Sequence, residues 1–426
     1  MTDTIFARSS GAPPAAIAIV RISGPAATDT LRQIAGEVPE PRRMSLRKLT
    51  NPADGTVLDQ ALVVHFPAAQ SATGEDQVEL HLHGGRAVVD AVEAVLGGIP
   101  GLRPARAGEF TWQAFANGRM DLIEVESLSD LLRAETEGQR RAALAGAGLS
   151  AAVEALRREV LLLSALVEAA LDQSDEGDVP ADDTRARALA DELTGALERL
   201  LARPGAERLF DGVRVVFAGP PNAGKSTLIN RLAQRDVAIV SPMAGTTRDV
   251  IEAPVRLGGI AFVLTDTAGL RGDPGDEVEA AGVARARARI AAADIVVWMD
   301  EQSPPEDLPA ERLIPILSRA DLQPPDDGGR LRVSARTGEG ISALIDALIG
   351  RARALLPQED EAALTRRQRL YLEQCHNELR GLADEPDELI RAERLRAARA
   401  ALDALTGRAG TEDMLDALFG TFCIGK

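Results

Sequence analysis

Four residues, Gly219, Gly224, Lys225 and Ser226, stand at the spacing of a phosphate-binding loop, Gly-x-x-x-x-Gly-Lys-Ser. Glycines let the backbone turn its N–H groups inward around phosphates, lysine neutralises phosphate charge, and a serine hydroxyl can ligate Mg²⁺. The apolar run 213–217 before the loop predicts a strand, and the residues after Lys225 predict a helix. The alternative is a chance glycine-rich turn, but strand and helix supply the context that the motif requires.

Two further segments follow in the order typical of a switch GTPase. The polar loop 245–249 offers Thr246 and Thr247; a threonine here can close over the γ-phosphate and complete the Mg²⁺ shell, and Thr247 is our candidate ligand. Asp266 ends a predicted strand, where a carboxylate suits indirect support of Mg²⁺. Gly269, three residues later, can donate its N–H to the γ-phosphate.

The segment that would select the base differs from the usual GTPase pattern. GTPases commonly carry Asn-Lys-x-Asp after the next-to-last strand, whereas residues 318–321 are Ser-Arg-Ala-Asp. Asp321 keeps the carboxylate that accepts the guanine N–H groups, and Arg319 can lie over the base. The later Ser334, with Ala335 and Arg336, resembles the last guanine-contact motif. These residues favour GTP over ATP and disfavour a P-loop kinase.

Composition limits the classes of protein to which the chain can belong. With 426 residues, 45% hydrophobic and 27% charged, the chain predicts a soluble protein of two or three domains. No apolar run approaches the ~18 residues of a membrane span, and the N-terminus lacks a secretory core. Two cysteines, Cys375 and Cys423, predict a reducing, cytoplasmic setting. The net charge of −17 implies that any nucleic-acid contact needs a local basic face or a partner.

Four segments with different patterning predict a multidomain α/β plus α protein. Residues 1–118 predict a mixed α/β domain with strands at 16–22, 57–66 and 78–83 and a helix at 87–96. Residues 119–208 and 355–426 carry helical apolar stripes, each exposed on one side, and we expect them to pack as one discontinuous helical domain. Residues 209–354 predict an inserted, Ras-like P-loop domain.

Polar side chains interrupt the predicted strands of the first segment. Arg21, Glu79, His81 and His83 lie in or beside these strands and could project into a pocket. For each histidine the favoured interpretation is an ordinary half-buried strand residue.

Three segments resemble the MnmE/TrmE family of tRNA wobble-uridine modification GTPases, and with the inserted GTPase domain the resemblance covers essentially the whole chain. They are Thr73-Gly74-Glu75-Asp76 with Glu79-Leu80-His81 and Gly84-Gly85; Gly108-Glu109-Phe110-Thr111 with Ala114-Phe115, Asn117-Gly118-Arg119 and Asp121-Leu122; and the terminal Phe422-Cys423-Ile424-Gly425-Lys426.

The resemblance implies a homodimer formed through an N-terminal domain that binds a folate one-carbon donor, 5,10-methylene- or 5-formyl-tetrahydrofolate. By matching positions, the folate site would include Arg21, Glu79, Arg119 and Lys426; the family usually has lysine where Arg119 stands. Cys423 matches a cysteine that the family needs for modification. Three other roles are open for Cys423: a small buried residue, a metal ligand or part of an inert terminus. The metal-ligand role is disfavoured because no cysteine or histidine lies nearby in sequence.

The resemblance further implies a K⁺-dependent GTPase, in which the ion offsets charge between the β- and γ-phosphates; an arginine finger in that role contributes about 10³–10⁵ in rate. The K⁺ ligands would be the Asn222 side chain and main-chain oxygens of the loop containing Ser241, Met243 and Thr246. Glu279 matches the water-orienting glutamate, although alone it is better explained as a solvated acid at a helix start. The catalytic residues implied are Glu279, Lys225 and Cys423, and the GTP contacts are Asn222, Ala223, Gly224, Lys225, Ser226, Thr227, Ser241, Thr246, Thr247, Asp266, Gly269, Asp321, Ser334, Ala335 and Arg336.

The family's partner is a flavoprotein carrying FAD and using NADH (MnmG/GidA), and the two form a heterotetramer that adds an aminomethyl or carboxymethylaminomethyl group to tRNA. This chain has no Gly-x-Gly-x-x-Gly after a strand, so hydride chemistry must come from elsewhere. The competing hypothesis is a regulatory switch GTPase, for example in ribosome assembly. It explains residues 213–350 equally well but leaves the first segment and the Cys-Ile-Gly-Lys terminus without a role.

Overall fold

Two units make up the chain in the computed structural model: residues 1–129 with 402–426, and residues 130–401. The structure describes residues 3–174, 184–203, 205–234, 252–266, 287–299, 304, 308–322, 330–357, 363–382, 384–409 and 418–426. In this part of the chain, no helix combines the length and the apolar character that crossing a membrane requires.

A six-stranded sheet organises the first unit, in the order β3-β4-β5-β2-β1-β6. Only the β1/β6 pair is parallel. Along β2 the side chains of Ala18, Val20 and Ile22 are buried on one face, and Arg21 points to the other. The strands are β1 (Thr4–Arg8), β2 (Ile17–Ser23), β3 (Ser45–Thr50), β4 (Val57–Phe66), β5 (Gln77–His83) and β6 (Leu102–Pro104).

Helices cover both faces of this sheet. Helices α1 (Ala27–Ala35) and α2 (Arg86–Gly97) share the main core with β2 and β5. Helix α3 (Glu109–Ala116) lies against the opposite face, where Phe110 packs with Ile5 and Ala7. The predicted strands 16–22, 57–66 and 78–83 and the helix 87–96 are confirmed to within one residue at each end. Strands β1, β3 and β6 were not predicted.

Helices dominate the polypeptide between the sheet of the first unit and the phosphate-loop motif. Helix α4 (Leu122–Arg133) runs across the boundary between the units, and it is followed by α5 (Glu137–Leu144), α6 (Gly146–Ser174), α7 (Thr184–Leu201) and α8 (Glu207–Phe210). The predicted apolar stripe of α6 is buried at Val153, Val160 and Leu163.

A second six-stranded sheet follows, in the order β12-β11-β10-β7-β9-β8. Its strands are β7 (Val213–Ala218), β8 (Glu252–Leu257), β9 (Ile260–Asp266), β10 (Ile295–Trp298), β11 (Leu313–Ser318) and β12 (Leu331–Val333). All neighbours are parallel except the edge pair β8/β9. Helices α9 (Lys225–Ala233) and α10 (Ile341–Leu355) pack on it through Leu228 and Leu344. The parallel strands therefore end along one edge, where ligands bind in such sheets.

Two more α-helices, α11 (Arg366–Arg380) and α12 (Glu388–Thr406), follow the second sheet. Helix α11 packs on α7, and Arg369 donates hydrogen bonds to the carbonyl oxygens of Leu201 and Arg203 at 2.7 and 2.5 Å. Helical segments on either side of the second sheet are thus in contact. The domain boundaries given above remain predictions.

Candidate functional sites

The phosphate loop lies between β7 and α9, at the carboxyl edge of the second sheet. Asn222 and Gly224 have left-handed backbones, with φ of 63° and 90°, and helix α9 begins at Lys225. Lys225 is buried, and its Nζ donates hydrogen bonds to the carbonyl oxygens of Gly219 and Pro220 at 2.9 and 2.8 Å. A positive charge is therefore held inside the loop at a helix N-terminus, an arrangement suited to binding phosphate.

Gly219 is required by a close approach of two backbones. A Cβ atom at this position would lie 2.9 Å from Cβ of Met299, which directly follows β10. The first glycine of the motif thus keeps the phosphate loop against the neighbouring strand end.

Ser226 and Asp266 form a hydroxyl–carboxylate pair at the ends of α9 and β9. Ser226 Oγ donates a hydrogen bond to Asp266 Oδ2, and the Asp266 side chain is almost fully buried. The β7/β9 register places Asp266 beside Phe217, one residue before the end of β7. Oxygen donors of these two types are the ligands and supporting groups that Mg²⁺ uses in nucleotide sites, so the residues present fit the ion.

A cavity of about 190 Å³ adjoins the phosphate loop and contains the residues expected to bind the base. Within it Ser334 Oγ donates to Asp321 Oδ1 at 2.6 Å. This hydrogen bond is the largest cause that holds the pKa of Asp321 below its usual value. The hydrogen bond favours the ionised form of Asp321, the form that can accept hydrogen bonds from guanine. The lining includes Ala223, Gly224, Thr227, Ser318, Arg319, Asp321, Ser334, Ala335 and Arg336.

Arg319 connects the base-binding segment to the phosphate loop. Its backbone is left-handed, with φ of 54°, and its Nη2 donates a hydrogen bond to the carbonyl oxygen of Asn222. The sequence predicted an arginine lying over the base, but its 97-residue separation from Asn222 gave no signal for this contact. The Ser334–Asp321 hydrogen bond was likewise not predicted.

Several predicted residues lie outside the part of the chain that the structure describes, and their roles remain predictions. They are Ser241, Met243, Thr246, Thr247, Gly269 and Glu279.

The first unit carries a separate polar site between its sheet and α3. Arg21 and Glu79 are direct cross-strand neighbours on β2 and β5, and Arg21 donates from Nε and Nη2 to Glu79 Oε1 at 3.2 and 2.9 Å. The Arg21 guanidinium also lies 5.6 Å from the centre of the Phe110 ring, a favourable cation–π geometry. The two charged side chains keep 21% and 16% exposure, so a ligand can reach them.

The two histidines near this site differ. His81 is half-buried, as predicted, and its Nε2 lies 3.3 Å from Glu79 Oε2. His83 is exposed, so the prediction that it is half-buried is wrong: it ends β5, and its Nδ1 lies 2.7 Å from Asp59 Oδ1 at the surface.

The loop that contains the Thr-Gly-Glu-Asp motif is fixed beside the polar site. Asn117 Nδ2 donates to the carbonyl oxygen of Thr73 at 2.8 Å, and Arg119 Nη2 donates to that of Ala68 at 2.8 Å. Gly74 has φ of 78°, and a Cβ there would lie 2.7 Å from the Asn117 side chain. Asp76 accepts from the Thr28 hydroxyl at 2.9 Å. These contacts fix the conformation of the loop and hold Arg119 close to it.

The C-terminal residues dock onto the same unit. Ser9 Oγ donates to the carbonyl oxygen of Gly425 at 2.8 Å, and Ile424 forms a β-bridge with Ala107. Lys426 follows directly, and its side chain is half-buried. Cys423 is exposed, whereas burial raises the pKa of the Cys375 thiol to about 12. Of the two thiols, Cys423 is therefore the one that solvent and a substrate can reach.

Two protein-family models together match almost the whole chain. Residues 4–119 match the family model described as GTP-binding protein TrmE N-terminus, and residues 122–423 match the MnmE helical domain. The protein named tRNA modification GTPase MnmE from Rhizorhabdus wittichii is 57% identical to this chain, and the alignment covers 100% of this chain and 97% of the relative. The protein of the same name from Erythrobacter litoralis is 55% identical, with 100% of both chains covered. The one from Novosphingobium aromaticivorans is 52% identical, with 100% of both chains covered.

Among solved structures, the G domain of the T. maritima FeoB iron transporter aligns with 33% of this chain and 98% of its own, at 23% identity and a TM-score of 0.24. That likeness is too slight to support a functional argument.

Proposed function

The chain belongs to the MnmE family of tRNA modification GTPases, and from this membership we propose that it couples GTP hydrolysis to modification of the wobble uridine of tRNA. It is a GTP hydrolase that serves tRNA modification. The main support for nucleotide binding is the cavity of about 190 Å³, which is lined both by Asp321 and by Gly224 and Thr227 of the phosphate loop.

In this proposal each group of the nucleotide site has a separate task. Lys225 neutralises phosphate charge, Ser226 and Thr247 hold Mg²⁺ with Asp266 in support, and Asp321 selects guanine. Glu279 orients the attacking water. Asn222, with main-chain oxygens of Ser241, Met243 and Thr246, would hold K⁺, and a cation bound there would offset negative charge on the phosphates.

The polar site of the first unit is proposed to bind the folate, 5,10-methylene- or 5-formyl-tetrahydrofolate, that donates the one-carbon unit. The Arg21 guanidinium suits a ligand with carboxylates, the family resemblance adds Arg119 and Lys426 as further cationic groups, and Glu79 can accept hydrogen bonds from the ring nitrogens of the ligand. Two copies of the chain and the FAD- and NADH-dependent partner MnmG (GidA) form the working heterotetramer in the cytoplasm. Cys423 acts in modification.

Hydrolysis of GTP by the full chain in K⁺ and in Na⁺ at matched ionic strength tests the proposal. We expect a large rate increase in K⁺, and Asn222→Gly should remove that increase. GDP affinity, measured in parallel, shows how much of the loss comes from weaker nucleotide binding. Glycine tolerates the left-handed backbone of this position, so the variant deletes only the side chain. Equal rates in both salts would contradict the K⁺ assignment and favour a regulatory switch GTPase.

Folate binding separates that alternative from modification chemistry. Arg21→Ala should weaken 5-formyl-tetrahydrofolate measurably in equilibrium dialysis, because it removes a charged group from the site. A wild-type chain that binds no folate would exclude the proposed one-carbon role.

A further inference from the structure

Two buried glutamines of the first unit have side-chain atoms that the described residues do not satisfy. Gln77 is 3% exposed and Gln113 is 1% exposed. Gln77 Oε1 and both Oε1 and Nε2 of Gln113 have no hydrogen-bond partner among the residues that the structure describes. Burying such groups without partners costs about 1–3 kcal/mol each, so this pair is expensive for the fold alone.

The helix geometry of α3 places Gln113 over the polar site. Phe110, at one end of α3, contacts Arg21, and Asn117, just past the other end, donates to Thr73. At 3.6 residues per turn, positions 110, 113 and 117 share one face of the helix. Gln113 therefore lies between the contact with Arg21 and the contact with Thr73.

The strand register places Gln77 on the sheet face that α3 covers. Gln77 lies directly opposite Ser23, whose hydroxyl is 2.8 Å from that of Thr73. Its Nε2 approaches Glu79 Oε1 at 3.4 Å, which shows that its side chain is on the Glu79 face of the sheet. Gln77 and Gln113 thus both lie on the face of the sheet that carries Arg21 and Glu79, the two side chains that solvent still reaches.

We propose that Gln77 and Gln113 bind the flat nitrogen-containing ring of the folate, a role that rests on the folate site proposed above. The amino-oxopyrimidine edge of that ring presents N–H donors beside a carbonyl acceptor, and a carboxamide carries one group of each complementary kind. Glu79 accepts N–H groups at the entrance, while the two amides pair with the remainder of the ring edge. The ligand then satisfies atoms that are otherwise unpaired, which favours binding of a ring with this pattern over an apolar ring.

The test is folate affinity in size-matched variants of the full chain. Gln113→Met and Gln77→Met keep side-chain length and remove only the amide. Each should weaken 5-formyl-tetrahydrofolate about tenfold or more in equilibrium dialysis, the loss expected for a buried hydrogen-bonded group. The midpoint of thermal unfolding should stay the same or rise, because an unpaired buried amide has been removed. Gln70→Met, at an exposed position of the same unit, is the matched control and should change neither quantity.

The outcomes separate the proposal from its premise. Unchanged folate affinity in both methionine variants would overturn the amide assignment, and a lowered unfolding midpoint would then show that the amides are structural, paired through buried water. If one variant does not fold, the other decides. If Arg21→Ala also leaves affinity unchanged, the folate site itself is misplaced. Displacement of folate by uridine monophosphate, weakened by the same variants, would assign the amides to the imide edge of uracil and overturn the folate role.

Discussion

The phosphate-binding part of the nucleotide site and the polar site of the first unit are built in opposite ways. The phosphate-binding groups come from one short stretch, 219–227, whose main chain turns through left-handed residues into the start of α9. The polar site is assembled from distant segments: Arg21 and Glu79 are 58 residues apart, and Phe110, whose ring Arg21 contacts, lies on α3. Elsewhere in the same unit, the hydrogen bond from Ser9 to Gly425 spans 416 residues.

This difference determines how each site should respond to substitution. A continuous loop carries its own geometry, so the chemical group at each fixed position decides its function. A site assembled from two strands and a helix depends on packing, and so does the docked C-terminus of the same unit. A change that contacts no ligand can therefore still displace a functional group. The following predictions test this contrast, from the largest expected effect to the smallest.

Lys225→Ala should cause the largest loss. The variant removes a buried positive charge that the loop holds at the phosphate position, and charge-assisted bonds to phosphate are worth about 1.5–3 kcal/mol each. GTP and GDP affinity, measured by fluorescence titration, should fall about 100-fold or more, while folate affinity stays unchanged. Lys48→Ala, on the exposed side of β3, is the control. GTP affinity equal to that of the wild type would break the phosphate-loop assignment.

Asp321→Asn should produce a smaller loss that depends on the base. The amide cannot accept both guanine N–H groups, but its NH₂ can donate to the extra carbonyl of xanthine. GTP affinity should fall about 10- to 100-fold, the range for hydrogen bonds to a charged group, and XTP affinity should rise. Competition titrations of the two nucleotides measure this directly. Equal losses for both would indicate that Asp321 supports the loop and does not contact the base.

Gly425→Ala tests the dependence of the first unit on packing. Its φ is 97°, and an added Cβ would lie 2.2 Å from the carbonyl oxygen of Arg8, so the docked terminus must move. We expect a stability loss of about 1–3 kcal/mol and reduced tRNA modification, because Cys423 and Lys426 shift with the terminus. GTP hydrolysis without the partner should be unchanged. Gly11→Ala, where a Cβ meets nothing within 4 Å, is the control. Full modification activity in Gly425→Ala would show that the docked position is not needed.

The same contrast explains how much the sequence could predict. Strand β7, helix α9 and the loop between them follow from adjacent residues, and the buried strands β2, β4 and β5 follow from their apolar runs. Strands β3 and β6 escaped prediction because they are short or partly polar, and they lie at sheet edges. The Arg319–Asn222 contact and the burial of Gln113 depend on packing between segments far apart in sequence, which no local pattern encodes.

Ser334→Ala should give the smallest and most specific effect, a shift in pH dependence. In the wild type the hydrogen bond from Ser334 is the main cause that holds the pKa of Asp321 below its ordinary value of 3.8. A lowered pKa keeps the carboxylate ionised until the pH falls below that value, and loss of the hydroxyl moves the pKa upward. GDP affinity should therefore fall only a few-fold at neutral pH, since Asp321 stays charged there, but should begin to fall at a higher pH on acidification. Titrations from neutral to acidic pH, with circular dichroism to confirm folding and Ser127→Ala as the control, measure the shift. If GDP affinity falls at the same acidic pH in the variant and the wild type, the Ser334 hydroxyl does not lower the pKa of Asp321. Guanine binding would then depend on the carboxylate alone.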